Sequence, residues 1–284
     1  MKQNNVYETS KKMKIMQKYI RKIKSWTGFH NIICNVNRTS YKKNCLISYI
    51  KEPFENKINK FHQNEMQVLV IARLIGEFGY NVDIIDYKSQ HVIFNKCYDV
   101  VFDICVKDEP IYKNHLKASA KRIVYFTGSE SKFANNAEME RIRDCAIRRG
   151  VMLQPRRQAP LISKEIEKFD EAILIGNKDN LATYKEFNLP RTFMVPNTGY
   201  DFGKRFNLEK RKSTNFLYFG SVGCVHKGLD LLLEIFAEPK FPGTLYVCGN
   251  FEKEKDFISE YETELYRTET IKPIGFIDIE GEKF

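Results

Sequence analysis

The sequence contains no apolar run of about 18 residues, the length that a helix needs to span a bilayer. It also contains no Cys-x-x-Cys pair, because its seven cysteines are scattered along the chain. The five histidines likewise form no cluster with metal-ligand spacing. These absences argue against a membrane-spanning protein, a disulfide framework and a metal-dependent hydrolase. We therefore expect no metal site, and a reducing cytoplasm is the simplest location for the chain.

Acidic residues are missing between Glu8 and Glu52, although the whole chain carries a net charge of +10. Lysines and arginines crowd the segment from Lys11 to Lys24, where apolar residues recur at helical spacing. This pattern predicts a basic helix within an N-terminal arm, residues 1–43. One interpretation is peripheral binding to an anionic membrane surface. The alternatives are a helix that packs its apolar stripe on the main domain, and an arm that extends into solvent.

From Asn44 onward, strand-like apolar runs alternate with segments of helical length. The predicted strands are Cys45–Ile50, Val82–Ile85, Tyr98–Ile104, Arg122–Phe126, Ala172–Ile175 and Thr192–Val195. The predicted helices are Asn64–Phe78, Glu138–Arg148 and a third that ends near Phe187. This alternation predicts an α/β fold with parallel βαβ units, forming a Rossmann-like domain over residues 44–206. Glu138 and Arg141 are predicted to form an i,i+3 pair on the surface of their helix, and the alternative is that they are site residues.

A second α/β domain is predicted after a polar, basic linker, Asn207–Thr214. Its predicted strands are Asn215–Phe219, Thr244–Cys248 and Pro273–Ile277, and its predicted helices are Gly228–Phe236 and Phe251–Thr268. Three strands are few for a Rossmann-like domain. We therefore expect residues 207–284 to be an incomplete domain of this type.

Polar residues follow three of the predicted strands, namely Thr127, Asn177 and Asn197. In parallel sheets, ligands bind at the carboxyl ends of the strands. These residues are therefore site candidates. His62, Asn64 and Glu65 lie at the start of the first long helix, where His62 is a candidate for binding hydroxyl groups. The alternative is that Asn64 caps the helix and His62 is merely exposed.

The segment with the strongest chemical signal runs from Tyr218 to Asp230. A strand leads into Gly220 and Gly223, and a Lys-Gly pair, Lys227-Gly228, opens an amphipathic helix. Glycines allow backbone N–H groups to approach an anion, and the helix N-terminus and the lysine add positive charge. The spacing matches neither the dinucleotide fingerprint nor the Walker A loop. The pattern indicates a diphosphate site or, alternatively, a glycine-rich turn with a solvated lysine.

This segment resembles the Gly-…-Lys-Gly segment of glycosyltransferase family 4, in which it binds the donor diphosphate. The resemblance assigns that role to Gly220, Ser221, Gly223, His226, Lys227 and Gly228. Many members carry an arginine after the first glycine, whereas this chain has Ser221, so that second cation is missing. The turn Val195–Asp201 resembles the Pro-Asn-Gly-Val-Asp turn of the same family.

Three segments of the N-terminal half also resemble this family. Phe61–Glu65 resembles the polar cluster that faces the cleft between the domains. The tripeptide Thr127-Gly128-Ser129 and the run Arg149–Arg157 resemble a bacterial subgroup. The resemblance therefore adds His62, Asn64, Glu65, Thr127, Gly128 and Asn197 as cleft or acceptor candidates.

The resemblance implies a GT-B fold, with two Rossmann-like domains, and transfer of a sugar from a nucleotide-diphosphate donor with retention of configuration. The nucleotide sugar is then a co-substrate, no further cofactor is required, and the acceptor is an unidentified glycan, lipid or protein. The family's Glu-x7-Glu segment has no counterpart here, so we expect a C-terminally truncated chain, and no catalytic residue is assigned. Two alternatives remain: a non-catalytic protein of the same fold, and a basic nucleic-acid-binding protein.

Overall fold

The protein is described here from a computed structural model. The structure describes residues 31–56, 58, 60, 62–104, 106, 109–201, 203, 214–279 and 281. The predicted basic helix between Lys11 and Lys24 lies outside these residues, as does the predicted linker apart from Thr214. The chain divides into two compact units, which we treat separately. The first unit comprises Met1–Gly128 and Ile162–Gly199, and the second comprises Ser129–Leu161 and Tyr200–Phe284.

The first unit contains a seven-stranded sheet with the strand order β1-β3-β2-β4-β5-β6-β7. Its strands are β1 (Ile32–Ile33), β2 (Lys43–Tyr49), β3 (Tyr80–Asp86), β4 (Tyr98–Asp103), β5 (Leu116–Phe126), β6 (Glu171–Ile175) and β7 (Arg191–Val195). Only β1 is antiparallel to its neighbour among these pairs. The helices are α1 (Glu52–Glu55), α2 (Asn64–Glu77), α3 (Glu109–Tyr112) and α5 (Lys178–Ala182). Helix α4 (Ser131–Arg149) lies between α3 and α5 in the chain but belongs to the second unit. Short 3-10 segments occur at Lys113–His115 and Lys164–Lys168.

Helix α2 packs on strands β2 and β3 because one of its faces is apolar. Val68 and Ala72 on that face are buried in one cluster with Ile47 of β2 and Ile84 of β3. Strands β2 and β3 are buried along most of their length, as expected for parallel strands between layers. This packing places the start of α2 at the carboxyl end of the sheet, because α2 leads into β3.

The second unit combines a long helix with a three-stranded parallel sheet in the order β10-β9-β8. The strands are β8 (Asn215–Gly220), β9 (Thr244–Gly249) and β10 (Ile271–Gly275). The helices are α4 (Ser131–Arg149), α6 (Leu229–Phe236), α7 (Lys255–Glu260) and α8 (Glu262–Arg267), with a 3-10 segment at Phe251–Lys253. Ile142 of α4, Leu233 of α6 and Val247 of β9 belong to one buried cluster.

The assignment of α4 corrects the predicted domain division, which placed all of residues 44–206 in one domain. Residues 129–161 belong to the second unit instead. The physical reason is a dense set of contacts: Cys145 of α4 is buried in the core of the second unit, and Arg149 binds Glu260 and Glu264 at 2.8 and 2.7 Å. Apolar spacing predicts that a helix is amphipathic, but it does not identify the partner of the apolar face.

Most predicted strands are confirmed with small differences at their ends, but four predictions were wrong in extent. Strand β5 starts at Leu116, six residues before the expected Arg122. Helix α5 ends at Ala182, whereas we expected it to reach Phe187. The predicted helix Phe251–Thr268 is instead a 3-10 segment followed by two short helices that meet near Tyr261. Helix α4 starts at Ser131, seven residues before the expected Glu138, because Glu130 caps the N–H groups of Lys132 and Phe133.

No helix in the described ranges is both long enough and apolar enough to cross a membrane.

Candidate anion-binding site

The turn between β8 and α6, residues 220–228, is here called the glycine loop, and it lies entirely within the second unit. Gly223 has φ +100° and Gly228 has φ +78°, a backbone region in which glycine avoids the strain of a side chain. The N–H of Lys227 donates to the carbonyl of Gly223 at 2.9 Å, and the N–H of Leu229 donates to Cys224 at 2.9 Å. The loop is therefore a folded turn that ends directly in α6.

Several backbone donors of the glycine loop already have acceptors within the protein. The N–H of Gly223 donates to Oε1 of Glu254 at 2.6 Å, and the N–H of Cys224 donates to the same atom at 3.2 Å. Glu254 is only 4% exposed, so this carboxylate is buried beneath the loop. The N–H groups of Gly223, which is one of the predicted diphosphate-binding residues, and of Cys224 are therefore already bound within the protein. An anion at this loop depends mainly on side chains.

Lys227 provides one such side chain at the mouth of α6. The residue is exposed, and its ammonium group donates a hydrogen bond to Oγ of Ser221. Ser221 thus lies beside the charge of Lys227. Gly220 ends β8, and Gly228, at the other end of the loop, is the N-cap of α6. The predicted residues Gly220, Ser221, Lys227 and Gly228 therefore belong to one compact turn.

Arg157 is a residue of this site that the sequence prediction missed. It precedes the glycine loop by a long stretch of chain, yet its Cγ atom lies 2.8 Å from the position of a Cβ built on Gly223. Burial and the nearby positive charge of Arg157 together lower the pKa of Lys227. Neither cation makes an ion pair with a carboxylate within the part of the chain that the structure describes. The sequence carried one signal, the Arg156-Arg157 pair in the segment that resembles the bacterial subgroup.

Two polar atoms near the loop have no hydrogen-bond partner among the described residues. Nδ1 of His226 is buried, and so is the hydroxyl of Tyr218, a residue that is 8% exposed. The Tyr218 hydroxyl lies beneath Gly220, at 2.4 Å from the position of a Cβ built there. Burial raises the pKa of Tyr218, and the nearby Cys224 and Glu254 raise it further, so the hydroxyl stays protonated. His226 lines a small recess together with Glu138, Arg156, Gly223, Glu254 and Asp256.

The predicted surface pair of Glu138 and Arg141 is wrong. Glu138 is 2% exposed, and its Oε1 accepts the N–H groups of Arg156 and Arg157 at 2.8 Å each. Arg141 instead binds the buried Asp230 at 2.9 Å. The i,i+3 spacing placed both residues on neighbouring positions of the helix, but the 154–158 segment and α6 provide the partners that bind them.

The candidates of the first unit lie at the start of α2 and in the turn after β7. Nε2 of Gln63 donates to Oδ1 of Asn197 at 3.0 Å, so the two regions predicted from sequence are in contact. Nδ1 of His62 accepts the N–H of Asn64 at 3.3 Å. The expected Asn64 cap is therefore wrong: Gln63 is the N-cap residue, and the Oδ1 of Asn64 has no partner among the described residues. Glu65 lies in the first turn of α2.

The remaining candidates at the strand ends have structural partners. The carbonyl of Gly128 accepts a hydrogen bond from the Tyr184 hydroxyl at 3.0 Å, and Thr127 beside it is exposed. Asn177 caps α5 by accepting the N–H groups of Asp179 and Asn180 at 3.0 and 3.1 Å. Asn177 therefore serves the helix end, and both side chains are exposed.

The fold defines the class of this protein as α/β, with two mostly parallel sheets that are consistent with Rossmann-like units. Within the described residues, no group of three or more metal-ligating side chains is arranged to hold an ion. No protein-family model matches the chain, and a search of curated proteins finds no match either. The conclusions about function consequently depend on the chemistry of the glycine loop and its neighbours.

Proposed function

We propose that this protein is a glycosyltransferase of the GT-B type that uses a nucleotide-diphosphate sugar as donor. One observation carries the proposal: Lys227, an exposed lysine with no carboxylate partner among the described residues, lies where a glycine loop connects a parallel strand to a helix N-terminus. In such a fold, ligands bind at the carboxyl ends of the strands, and β8 ends at this loop. The positive end of the α6 dipole and the ammonium of Lys227 both favour an anion there.

The chemistry of sugar transfer suits this arrangement. When the bond between the sugar and the diphosphate breaks, negative charge develops on the leaving nucleoside diphosphate. A fixed ammonium group near the diphosphate stabilises this charge more in the transition state than in the bound donor, which lowers the barrier. Lys227 would hold the leaving group, and the hydroxyl of Ser221 would orient the ammonium. His62, Asn64, Glu65, Thr127 and Asn197 of the first unit remain candidates for contacts with the sugar or acceptor.

A second candidate function is a non-catalytic protein of the same fold, and a specific contact favours it. The buried carboxylate of Glu254 takes the N–H groups of Gly223 and Cys224, and these donors would otherwise be available to a phosphate. A negative charge beneath the loop also weakens the attraction for an anion. If these two effects outweigh Lys227, the loop binds no donor.

Binding and turnover measurements separate the two candidates. Isothermal titration of the full chain with UDP, GDP and ADP should detect binding of at least one nucleoside diphosphate. The Lys227→Ala variant should lose about tenfold or more in affinity, because a hydrogen bond to a charged group is worth about 1.5–3 kcal/mol. Release of nucleoside diphosphate from a panel of nucleotide sugars then tests catalysis.

The matched control is Lys240→Ala, which removes one exposed lysine of the same unit outside the glycine loop. It should bind like the wild type. Absent binding together with absent turnover favours the non-catalytic protein, and turnover of any nucleotide sugar excludes it. Failure of the wild-type chain to bind any of the three nucleoside diphosphates contradicts the glycosyltransferase proposal itself.

A further inference from the structure

The aliphatic part of the Arg157 side chain packs against Gly223. A Cβ at Gly223 would lie 2.8 Å from Cγ and 3.1 Å from Cδ of Arg157, distances at which something must shift. The same glycine has φ +100°. Both observations require glycine at this position. The glycine loop and Arg157 are therefore packed as one structure.

Arg157 differs from the arginines around it in how its charge is balanced. Arg141 and Arg148 bind Asp230, Arg149 binds Glu260 and Glu264, and Arg156 binds Asp256. Arg157 makes no ion pair in the described part of the chain, although carboxylates surround its neighbours. Its positive charge lies close enough to Lys227 to lower the pKa of that lysine. The buried Glu254 offsets part of the charge of Lys227, but neither cation has an ion-pair partner among the described residues. Two such cations that repel each other favour an anion between them.

The backbone that carries Arg157 is held in place on both sides. The buried carboxylate of Glu138 accepts the N–H of Arg156 and of Arg157 at 2.8 Å each. Asp256 accepts the N–H of Gln154 at 2.9 Å, so the segment is also tied to the start of α7. Burial opposes ionisation of Asp256, but hydrogen bonds from Gln154 and Arg156 outweigh it and lower its pKa. The arginine is thus presented to the loop by a preorganised segment.

From this arrangement we infer that Arg157 supplies the second positive charge of the donor site and binds the diphosphate together with Lys227. Arg157 comes from a segment that precedes the glycine loop in sequence, whereas Lys227 belongs to the loop itself. The inference rests on the proposed function. Its ligand class is a pyrophosphate group that carries a nucleoside.

The two cations predict a preference for two linked phosphates over one. A guanidinium binds phosphate oxygens through two parallel N–H groups, and an ammonium acts as a point charge. Lys227 and Arg157 together therefore fit a group with charge on two adjacent phosphorus centres. A monophosphate can use one of the two cations fully and the other only in part.

The experiment compares nucleoside diphosphates with the matching monophosphates by isothermal titration, using the full chain at constant ionic strength. The informative variant is Arg157→Met, which keeps an unbranched stem against Gly223 and removes the charge. We expect it to lose about tenfold or more in affinity for the diphosphate, as for the loss of a charged hydrogen bond. The affinity for the monophosphate should fall less, by about threefold.

The control variant is Arg143→Ala, which removes an exposed arginine of α4 and should leave both affinities within about twofold of wild type. Hydrogen exchange on peptides from the glycine loop verifies that Arg157→Met is folded. The inference is overturned if Arg157→Met binds the diphosphate as the wild type does while Lys227→Ala does not, and the proposed function then stands. Equal losses for monophosphate and diphosphate overturn it as well. If the wild type binds no nucleoside diphosphate, both proposals fail.

Discussion

The two units place different kinds of polar group at the start of a helix. At the start of α2, in the first unit, neutral side chains bind each other: Gln63 contacts Asn197, and Gln67 contacts Thr198 at 2.8 Å. At the start of α6, in the second unit, the cations Lys227 and Arg157 approach each other without a carboxylate partner in the described ranges. Amide side chains that bind each other stabilise a turn. Two positive charges that lie close together repel each other, and a bound anion offsets this repulsion.

The second unit also contains an internal contrast. Asp230 in the first turn of α6 is fully buried and compensates the charges of Arg141 and Arg148. Those arginines join α4 to α6 and are structural. Arg157 and Lys227, which belong to the same unit, make no ion pair with a carboxylate in the described ranges. The comparison therefore distinguishes charges that hold the fold together from charges that are available to a ligand.

The largest effect is expected where the structural charges are removed. Asp230→Ala leaves the guanidinium groups of Arg141 and Arg148 without their buried acceptor. We expect the free energy of unfolding of the second unit to fall by about 3 kcal/mol, as for a broken buried ion pair. Urea titration followed by hydrogen exchange on α4 and α6 peptides measures this change.

Asp144→Ala is the matched control, because Asp144 contacts Arg141 at 3.6 Å but is 59% exposed. It should change stability by less than about 0.5 kcal/mol. If both variants are equally stable, the arginines of α4 do not anchor the helix through Asp230.

The next effect concerns Gly223, where backbone conformation and the Arg157 contact coincide. Gly223→Ala should destabilise the second unit by about 1–3 kcal/mol, because alanine is strained at this φ and its Cβ meets Arg157. It should also weaken binding of nucleoside diphosphates. Gly199→Ala, with no atom within 4 Å of its new Cβ, should change stability by less than about 0.5 kcal/mol. Wild-type stability and binding in Gly223→Ala would contradict the packing of Arg157 on the loop.

A smaller effect on stability is expected in the first unit, where neutral side chains bind each other at the start of α2. Gln67 is 8% exposed, and Gln67→Ala removes its hydrogen bond to Thr198. The first unit should lose about 1 kcal/mol of stability, measured by hydrogen exchange on α2 peptides. Binding of nucleoside diphosphates should not change, since Gln67 belongs to the other unit. Gln63→Ala, whose hydrogen bond to Asn197 is exposed, is the control and should cost less.

The smallest effect is a change in pH dependence. Burial and Arg157 lower the pKa of Lys227 from its ordinary value of 10.5, so its proton is lost at lower pH than that of an ordinary lysine. A bound anion favours the protonated form, and binding is therefore strongest below this pKa and weakens above it. Lys227→Arg should keep anion binding to higher pH, because arginine stays charged. Titrations at several pH values measure this, and identical profiles for lysine and arginine would contradict it.

Local patterns predicted a large part of the fold correctly. The strands β2, β4, β6 and β8 were found within about two residues of their bounds, since buried parallel strands read as short apolar runs between turn residues. The end of α4 also follows from a local feature, because Gly150 is its C-cap with φ +75°, a conformation that glycine adopts without strain. The antiparallel strand β1 was missed because two residues carry no periodicity.

The candidate site was predicted only in part. The residues from Gly220 to Gly228 were recognised because glycine spacing, a strand before them and a helix after them are all local features. Within this segment, Lys227 is exposed and its ammonium group donates a hydrogen bond to Ser221. Glu254 was not recognised as the acceptor of two loop N–H groups, because nothing in its neighbourhood marks a glutamate that folds back beneath a loop.

The order of strands and helices and the turn before α6 follow from residue types close together in the chain, since apolar periodicity and the conformational freedom of glycine act over a few residues. Packing of α4 onto the second sheet, by contrast, depends on contacts between distant segments. That packing brings the positive charge of Arg157 close to Lys227, and within the described residues neither side chain forms an ion pair. Side-chain proximity across such distances depends on the assembled core and the buried carboxylates beneath it, which no short stretch of sequence specifies.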